Sequence, residues 1–193
     1  RQRQMCIRDS NTSNIENWTQ ISLPIGPFGF DKNKYNHAAA GDINNDGFMD
    51  VVVAITRDLP YYEGAYIQIL FNNGSGELID VTESSFSDQP RSATHHGEGN
   101  IYLRDMNLDG SLDIVHSTRD YNSGYHGSHI AINDGIGNFT SIENSKLPDK
   151  PDSGYNNYDF LMKALPINAD DEACLDFISV TDAGWENNQK ETS

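Results

Sequence analysis

Three observations predict an all-β chain assembled from repeated four-stranded antiparallel units. A nine-residue polar pattern recurs three times at a fixed 63-residue interval. Each copy runs into a short stretch rich in β-branched residues that lacks the 3.6-residue apolar spacing of a helix. Two copies then share an Asn-Gly or Asp-Gly turn between apolar segments, a strong hairpin signal because these residues tolerate positive φ.

The pattern reads Asp42-Ile-Asn44-Asn-Asp46-Gly47-Phe48-Met-Asp50, then Asp105-Met-Asn107-Leu-Asp109-Gly110-Ser111-Leu-Asp113, then Asn168-Ala-Asp170-Asp-Glu172-Ala173-Cys174-Leu-Asp176. Oxygen-bearing side chains fall at positions 1, 3, 5 and 9. A hard cation such as calcium takes six to eight oxygens at roughly 2.3–2.6 Å, and alternate side chains of a tight loop converge on one point. Position 7 would add a backbone carbonyl, from Phe48, Ser111 and Cys174. Gly47 and Gly110 at position 6 permit the sharp turn. One such string alone is also a polar Asx-rich turn. Two strict copies in register favour the cage, because a turn needs only one or two of these residues. The third copy departs from the pattern at Asn168, Glu172 and Ala173. A helix-flanked EF-hand is the competing reading, but its bidentate Glu at position 12 is replaced by Val53, His116 and Ser179.

The elements follow in order. Residues 18–22 read as the last strand of a preceding unit. Each polar loop leads into a second strand, at 51–56, 114–115 and 177–181. A polar loop opens next, with Thr56-Arg57-Asp58, Thr118-Arg119-Asp120 and Thr181-Asp182. Third strands lie at 66–71 and 129–133, and end in the turns Asn73-Gly74-Ser75-Gly76 and Asp134-Gly135-Ile136-Gly137. Fourth strands follow at 77–82 and 138–142. Four short strands in a period of this length describe one blade of a β-propeller. The expected organisation is a leader at 1–16, non-native or disordered, then the end of a preceding blade at 17–35. Full blades follow at 36–98 and 99–161, and the start of a third, degenerate blade at 162–193. The fold class is therefore a partial β-propeller of about three blades or parts of blades. Closing a ring typically takes four to eight blades, so further blades of a longer parent chain are expected partners.

These loops and strands resemble the FG-GAP/VCBS repeats of integrin-like β-propellers. Blades of that family carry a D-x-D/N-x-D-G-x-x-D calcium loop between their first two strands. The resemblance covers roughly residues 17–182. It implies Ca2+ ligation by Asp42, Asn44, Asp46 and Asp50, by Asp105, Asn107, Asp109 and Asp113, and by the divergent Asn168, Asp170, Glu172 and Asp176.

Composition agrees with a cation-dependent module. The chain has 29 acidic and 13 basic residues, a net charge of −16. Nucleic acid is excluded as a partner, because its binding rests on neutralising phosphates with Lys and Arg. Nine acidic side chains occupy ligand positions of the three loops, so their mutual repulsion without metal is expected to be severe. No apolar run is long enough to span a membrane. Cys6 and Cys174 are too few for a disulfide framework. The weak calcium sites of extracellular modules suggest a secreted or cell-surface location, where Asn11, Asn17, Asn73 and Asn138 would be glycosylation sequons.

In an antiparallel four-stranded blade the 1–2 and 3–4 loops share one rim, and the 2–3 loop and the inter-blade connector share the other. The opposite rim then carries Tyr61, Tyr62, Tyr121, Tyr125 and Trp185, with Arg57 and Arg119 beside them and His95, His96 and Glu98 in the connector. Exposed aromatics with polar neighbours commonly grip sugars or partner proteins. They also pack between blades, and the sequence leaves both roles open. No G-x-S-x-G, H-E-x-x-H, P-loop or dinucleotide fingerprint occurs. The expected function is non-catalytic binding or adhesion to carbohydrate or extracellular protein. The alternatives are a purely architectural segment and a non-catalytic part of a polysaccharide-degrading enzyme.

Overall fold

The computed structural model describes residues 4–8, 18–58, 63–89, 92–96, 99–118, 129–142, 161–167 and 176–181. β1 (Gln4–Arg8) pairs antiparallel with β2 (Trp18–Ser22). β3 (Asn33–Gly41), β4 (Asp50–Arg57), β5 (Glu63–Asn72) and β6 (Leu78–Asp80) form an antiparallel meander. One helical turn, α1 (Thr82–Ser85), follows, and β7 (Ser92–His96) joins the same sheet by pairing with β5. A second four-stranded meander contains β8 (Gly99–Arg104), β9 (Asp113–Thr118), β10 (His129–Asn133) and β11 (Phe139–Ser141). β12 (Leu161–Ile167) and β13 (Asp176–Thr181) make a final antiparallel pair.

The run Val51-Val52-Val53-Ala54-Ile55 has no polar member because β4 is covered on both faces, as all five side chains are buried. Successive side chains of a strand point to opposite faces. Val52 and Ala54 join Ile67 and Ile69 of β5 and pack against Ile101, Leu103, Ile114, Ala131 and Phe139 of the second sheet. Val51, Val53 and Ile55 face the other way, and with Tyr66 and Leu70 they pack against Leu23, Ile21 and Phe28. Burying each of these aliphatic side chains is worth about 1.5–3 kcal/mol. The second sheet repeats the arrangement: Val115 turns away from the shared core toward Tyr102, Met106 and Ile130, and β12 lies against β8 and β9. The chain is thus all-β, with antiparallel sheets stacked face to face as partial propeller blades.

Neighbouring blades also meet at their first strands, β3 and β8. There the Ile101 N–H donates to His37 Nδ1 at 3.1 Å across the junction.

The structure differs from the sequence expectation at three places. The fourth strands are shorter, ending at Asp80 and Ser141. In the first blade Asp80 Oδ1 accepts from the Thr82 N–H (3.0 Å) and hydroxyl (2.6 Å), which turns the chain into α1. Side chains then continue the ladder along β5: the Ile69 N–H donates to Thr82 Oγ1 at 2.8 Å. The Gln89 amide meets both backbone groups of Ile67, at 2.9 and 3.1 Å. Second, the connector expected to be a loop at His95 and His96 contains strand β7. Third, Gln4–Arg8, assigned by composition to the leader, is paired with β2 from Gln4↔Ser22 to Arg8↔Trp18.

Candidate metal centre

The polar loops sit at hairpin corners fixed by strand register. Gly41 pairs with Asp50, Arg104 with Asp113, and Ile167 with Asp176. The position 9 carboxylate therefore opens the second strand of all three hairpins.

In the first loop Asp42 Oδ1 accepts from the Asp46 N–H (3.0 Å) and Asp42 Oδ2 from the Gly47 N–H (2.9 Å). Asn44 Oδ1 accepts from the same Asp46 N–H at 3.0 Å, and Asp46 Oδ1 from the Phe48 N–H at 2.8 Å. A single amide thus gathers the side-chain oxygens of positions 1 and 3. The Asn44 Nδ2 donates to Asp46 Oδ2 at 2.9 Å and joins positions 3 and 5. This winding needs left-handed backbone at Asn45 (φ 58°) and Gly47 (φ 90°), which Asn and Gly adopt most readily.

The second loop repeats the wiring bond for bond. Asp105 accepts from the N–H groups of Asp109 (3.0 Å) and Gly110 (2.8 Å), and Asn107 Oδ1 also accepts from Asp109 (3.1 Å). Asp109 accepts from the Ser111 N–H and from Asn107 Nδ2, both at 2.8 Å. Leu108 (φ 60°) and Gly110 (φ 93°) take the left-handed positions. The hydrogen bonds from Ser111 and Asn107 hold the Asp109 carboxyl below the usual carboxylate range.

Residues 42–116 match the family model of the FG-GAP-like repeat, from the first residue of the first loop to three residues past the end of the second. This segment is an FG-GAP-like repeat. No solved structure matches the chain.

Position 9 of the FG-GAP-like loops behaves differently from positions 1, 3 and 5. Asp50 is fully buried, and its two oxygens accept the N–H groups of Ile43 (3.1 Å) and Asn72 (2.9 Å). Asp113 does the same with Met106 (2.7 Å) and Asn133 (2.8 Å). Burial pushes both carboxyls above their ordinary value, against the lowering effect of the two N–H bonds, and the loop carboxylates at positions 5 and 1 push them further the same way. Among the described residues, no three His, Cys, Asp or Glu side chains gather closely enough to hold a metal by themselves. The structure brings positions 1, 3 and 5 together and sets position 9 behind them as a brace between the loop and the end of the third strand. The donor chemistry still suits a hard cation. All these side chains offer oxygen, and an oxygen that accepts one N–H keeps a second lone pair.

The side chains at position 7 cover the 3–4 turn of their own blade. The Phe48 ring lies over Gly74, and Ser111 Oγ lies beside Gly135. Loops and turns therefore share one rim, as the strand order requires. Asn168, Asp170 and Glu172 of the third loop lie outside the described residues. So do Tyr61, Tyr62, Tyr121, Tyr125 and Trp185, assigned to the opposite rim.

Two residues absent from the sequence prediction prove central to the rim. Asn72 and Asn133 close the third strands and bind the position 9 carboxylates through their N–H groups. Their Oδ1 atoms accept from Gly74 and Gly135, both at 3.0 Å. They stand beside turn glycines that the sequence already marked, but the carboxylates they bind lie 22 and 20 residues away.

Proposed function

We propose that this chain is a calcium-binding FG-GAP-like repeat segment of a secreted or cell-surface protein. Calcium stabilises the blades, and the rim opposite the metal loops binds carbohydrate or an extracellular protein without catalysing a reaction. The observation that carries the reading is the matched wiring of two loops, which presents the same oxygen-only set twice in one chain. Asp42, Asn44 and Asp46 hold one ion, and Asp105, Asn107 and Asp109 the other. Asp50 and Asp113 add carboxylate charge from behind, and the Phe48 and Ser111 carbonyls complete each set. The ion supplies positive charge that relieves repulsion among carboxylates. The chain's own residues supply position: a single amide fixes two ligands, and the buried aspartate ties the loop to the third strand. The third loop, through Asn168, Asp170, Glu172 and Asp176, would take a weaker ion.

Extracellular calcium modules work at Kd values on the order of 10⁻⁴–10⁻³ M, a range suited to a surface protein. Among the described residues no helix is long and apolar enough to cross a membrane. Calorimetric titration with calcium tests the metal assignment: at least two sites are expected, both abolished by combining Asp46→Ala with Asp109→Ala, and absence of binding heat refutes it. Glycan-array binding with and without calcium tests the ligand assignment. Loss of binding in Tyr61→Ala, Tyr121→Ala and Trp185→Ala is expected, and unchanged binding places the ligand elsewhere.

A further inference from the structure

We propose that the first metal loop is not self-contained, and that the 3–4 turn of the following blade is a built-in positioning element for it. The inference rests on the calcium reading above. Two hydrogen bonds join the first loop to that turn and to Asn133, the residue before it. The Ile43 carbonyl accepts from Asn133 Nδ2 at 2.7 Å, and Asn45 Nδ2 donates to the Gly135 carbonyl at 2.8 Å. Between them, a side chain at Gly137 would meet the Phe71 ring first and come within 3.2 Å of Asn44 Cβ, so the glycine packs between the end of β5 and position 3.

Asn133 is the hub of this contact. It is 1% exposed, and its Nδ2 also donates to Leu112, at 3.0 Å, at position 8 of the second loop. Its Oδ1 accepts from Gly135 and Gly137, both at 3.0 Å, which fixes the turn, while its N–H holds Asp113. One buried amide thus joins the backbones of both metal loops. Burial tracks the contact: Ile43 and Asn44 are buried and half-buried, whereas Met106 and Asn107, their counterparts, are half-buried and exposed.

A site already held in its binding geometry loses less freedom when the ion arrives. Asn133 and Asn45 are therefore positioning residues for the first site, acting through backbone and not by ligation. Asn45→Gly removes the latch amide while keeping the positive φ that this position needs. Asn133→Asp keeps the oxygen that fixes the turn and replaces the donor to Ile43 and Leu112.

The test is a calcium titration of the chain followed by NMR at the Gly47 and Gly110 amides, one reporter in each loop. Asn45→Gly is expected to raise the midpoint at Gly47 by about threefold to tenfold, the range of one hydrogen bond, and to leave Gly110 within about twofold. An unchanged Gly47 midpoint overturns the inference. Hydrogen exchange without metal gives the second readout: Gly47 is expected to exchange faster in Asn45→Gly and Asn133→Asp, with Gly110 unaffected in Asn45→Gly. If neither amide of the unsubstituted chain responds to calcium, the calcium reading fails, and exchange alone decides the positioning role. Equal exchange of Gly47 in all three proteins then rejects it.

Discussion

The loops at 42–50 and 105–113 have the same seven hydrogen bonds, yet their surroundings differ. The first is gripped from outside by Asn133, Gly135 and Gly137 of the next blade, and Ile43 is driven into the shared core. The second loop's counterpart, Met106, is half-buried beside Val115, and the matching turn of a following blade is not among the described residues. The local sequence sets the shape of each loop, and the first loop has further bonds from the neighbouring blade. Position 7 runs the other way. Phe48 is 46% exposed and Ser111 is 8% exposed, although both cover a turn glycine of their own blade.

Substitutions that remove what the loops share are expected to cost most. Asp50→Ala and Asp113→Ala each leave two backbone N–H groups without an acceptor at a buried position. Each is expected to destabilise the fold by roughly 3 kcal/mol, read by urea unfolding. A cost that differs strongly between the two would mean that the braces are not equivalent.

Next comes the residue that reaches across to the first loop. Asn133→Asp loses donors to Ile43 and Leu112 and places a charge beside two carbonyls, a loss of about 2 kcal/mol. Asn72→Asp loses one long bond, 3.3 Å to the Met49 carbonyl at an exposed site, and is expected to cost under about 1 kcal/mol. Equal losses in urea unfolding would remove the contrast between the two turns.

The smallest effect is a titration in the turn that does the gripping. The Asn138 amide and the N–H groups of Ile136 and Asn138 hold the exposed Asp134 carboxyl below its ordinary value of 3.8. A depressed folded value means that the unfolded chain binds the proton more tightly. The contribution is therefore fully present above pH 3.8 and is lost as pH falls through the lower, folded value. Asn73 occupies the matching place in the first blade, where its amide bonds Glu77 at 2.8 Å, so no such titration is expected of it. NMR of the Asp134 carboxyl at acidic pH checks the direction, and Asn138→Ala is expected to bring the midpoint back toward 3.8.

Most of the fold was legible in the residues. The β-branched run Val51-Val52-Val53-Ala54-Ile55 was legible as a strand, though its coverage on both faces came from the structure, and the glycine turns marked the return from β5 to β6 and from β10 to β11. The loops were legible because their chemistry is local: Asp42 bonds residues four and five positions on. The fourth strand was read too long because Val81 and Thr82 have strand propensity, whereas Asp80 captures Thr82 and turns the chain away. Gln89, 22 residues from the Ile67 it completes, had no local signature. Asn133 was hidden for the same reason, since its key partner Ile43 lies 90 residues away. The second role of position 9 was not legible: strand pairing places Asp50 and Asp113 at the first residue of β4 and β9, where backbone amides meet both oxygens.

On the calcium reading proposed above, a divalent ion is needed to offset the carboxylates of these loops. Thermal unfolding of the chain in millimolar calcium and in excess chelator tests it most directly. A marked fall in Tm on chelation is expected, restored by added calcium and absent in the combined Asp46→Ala, Asp109→Ala variant. A Tm that is the same in calcium and in chelator would contradict it.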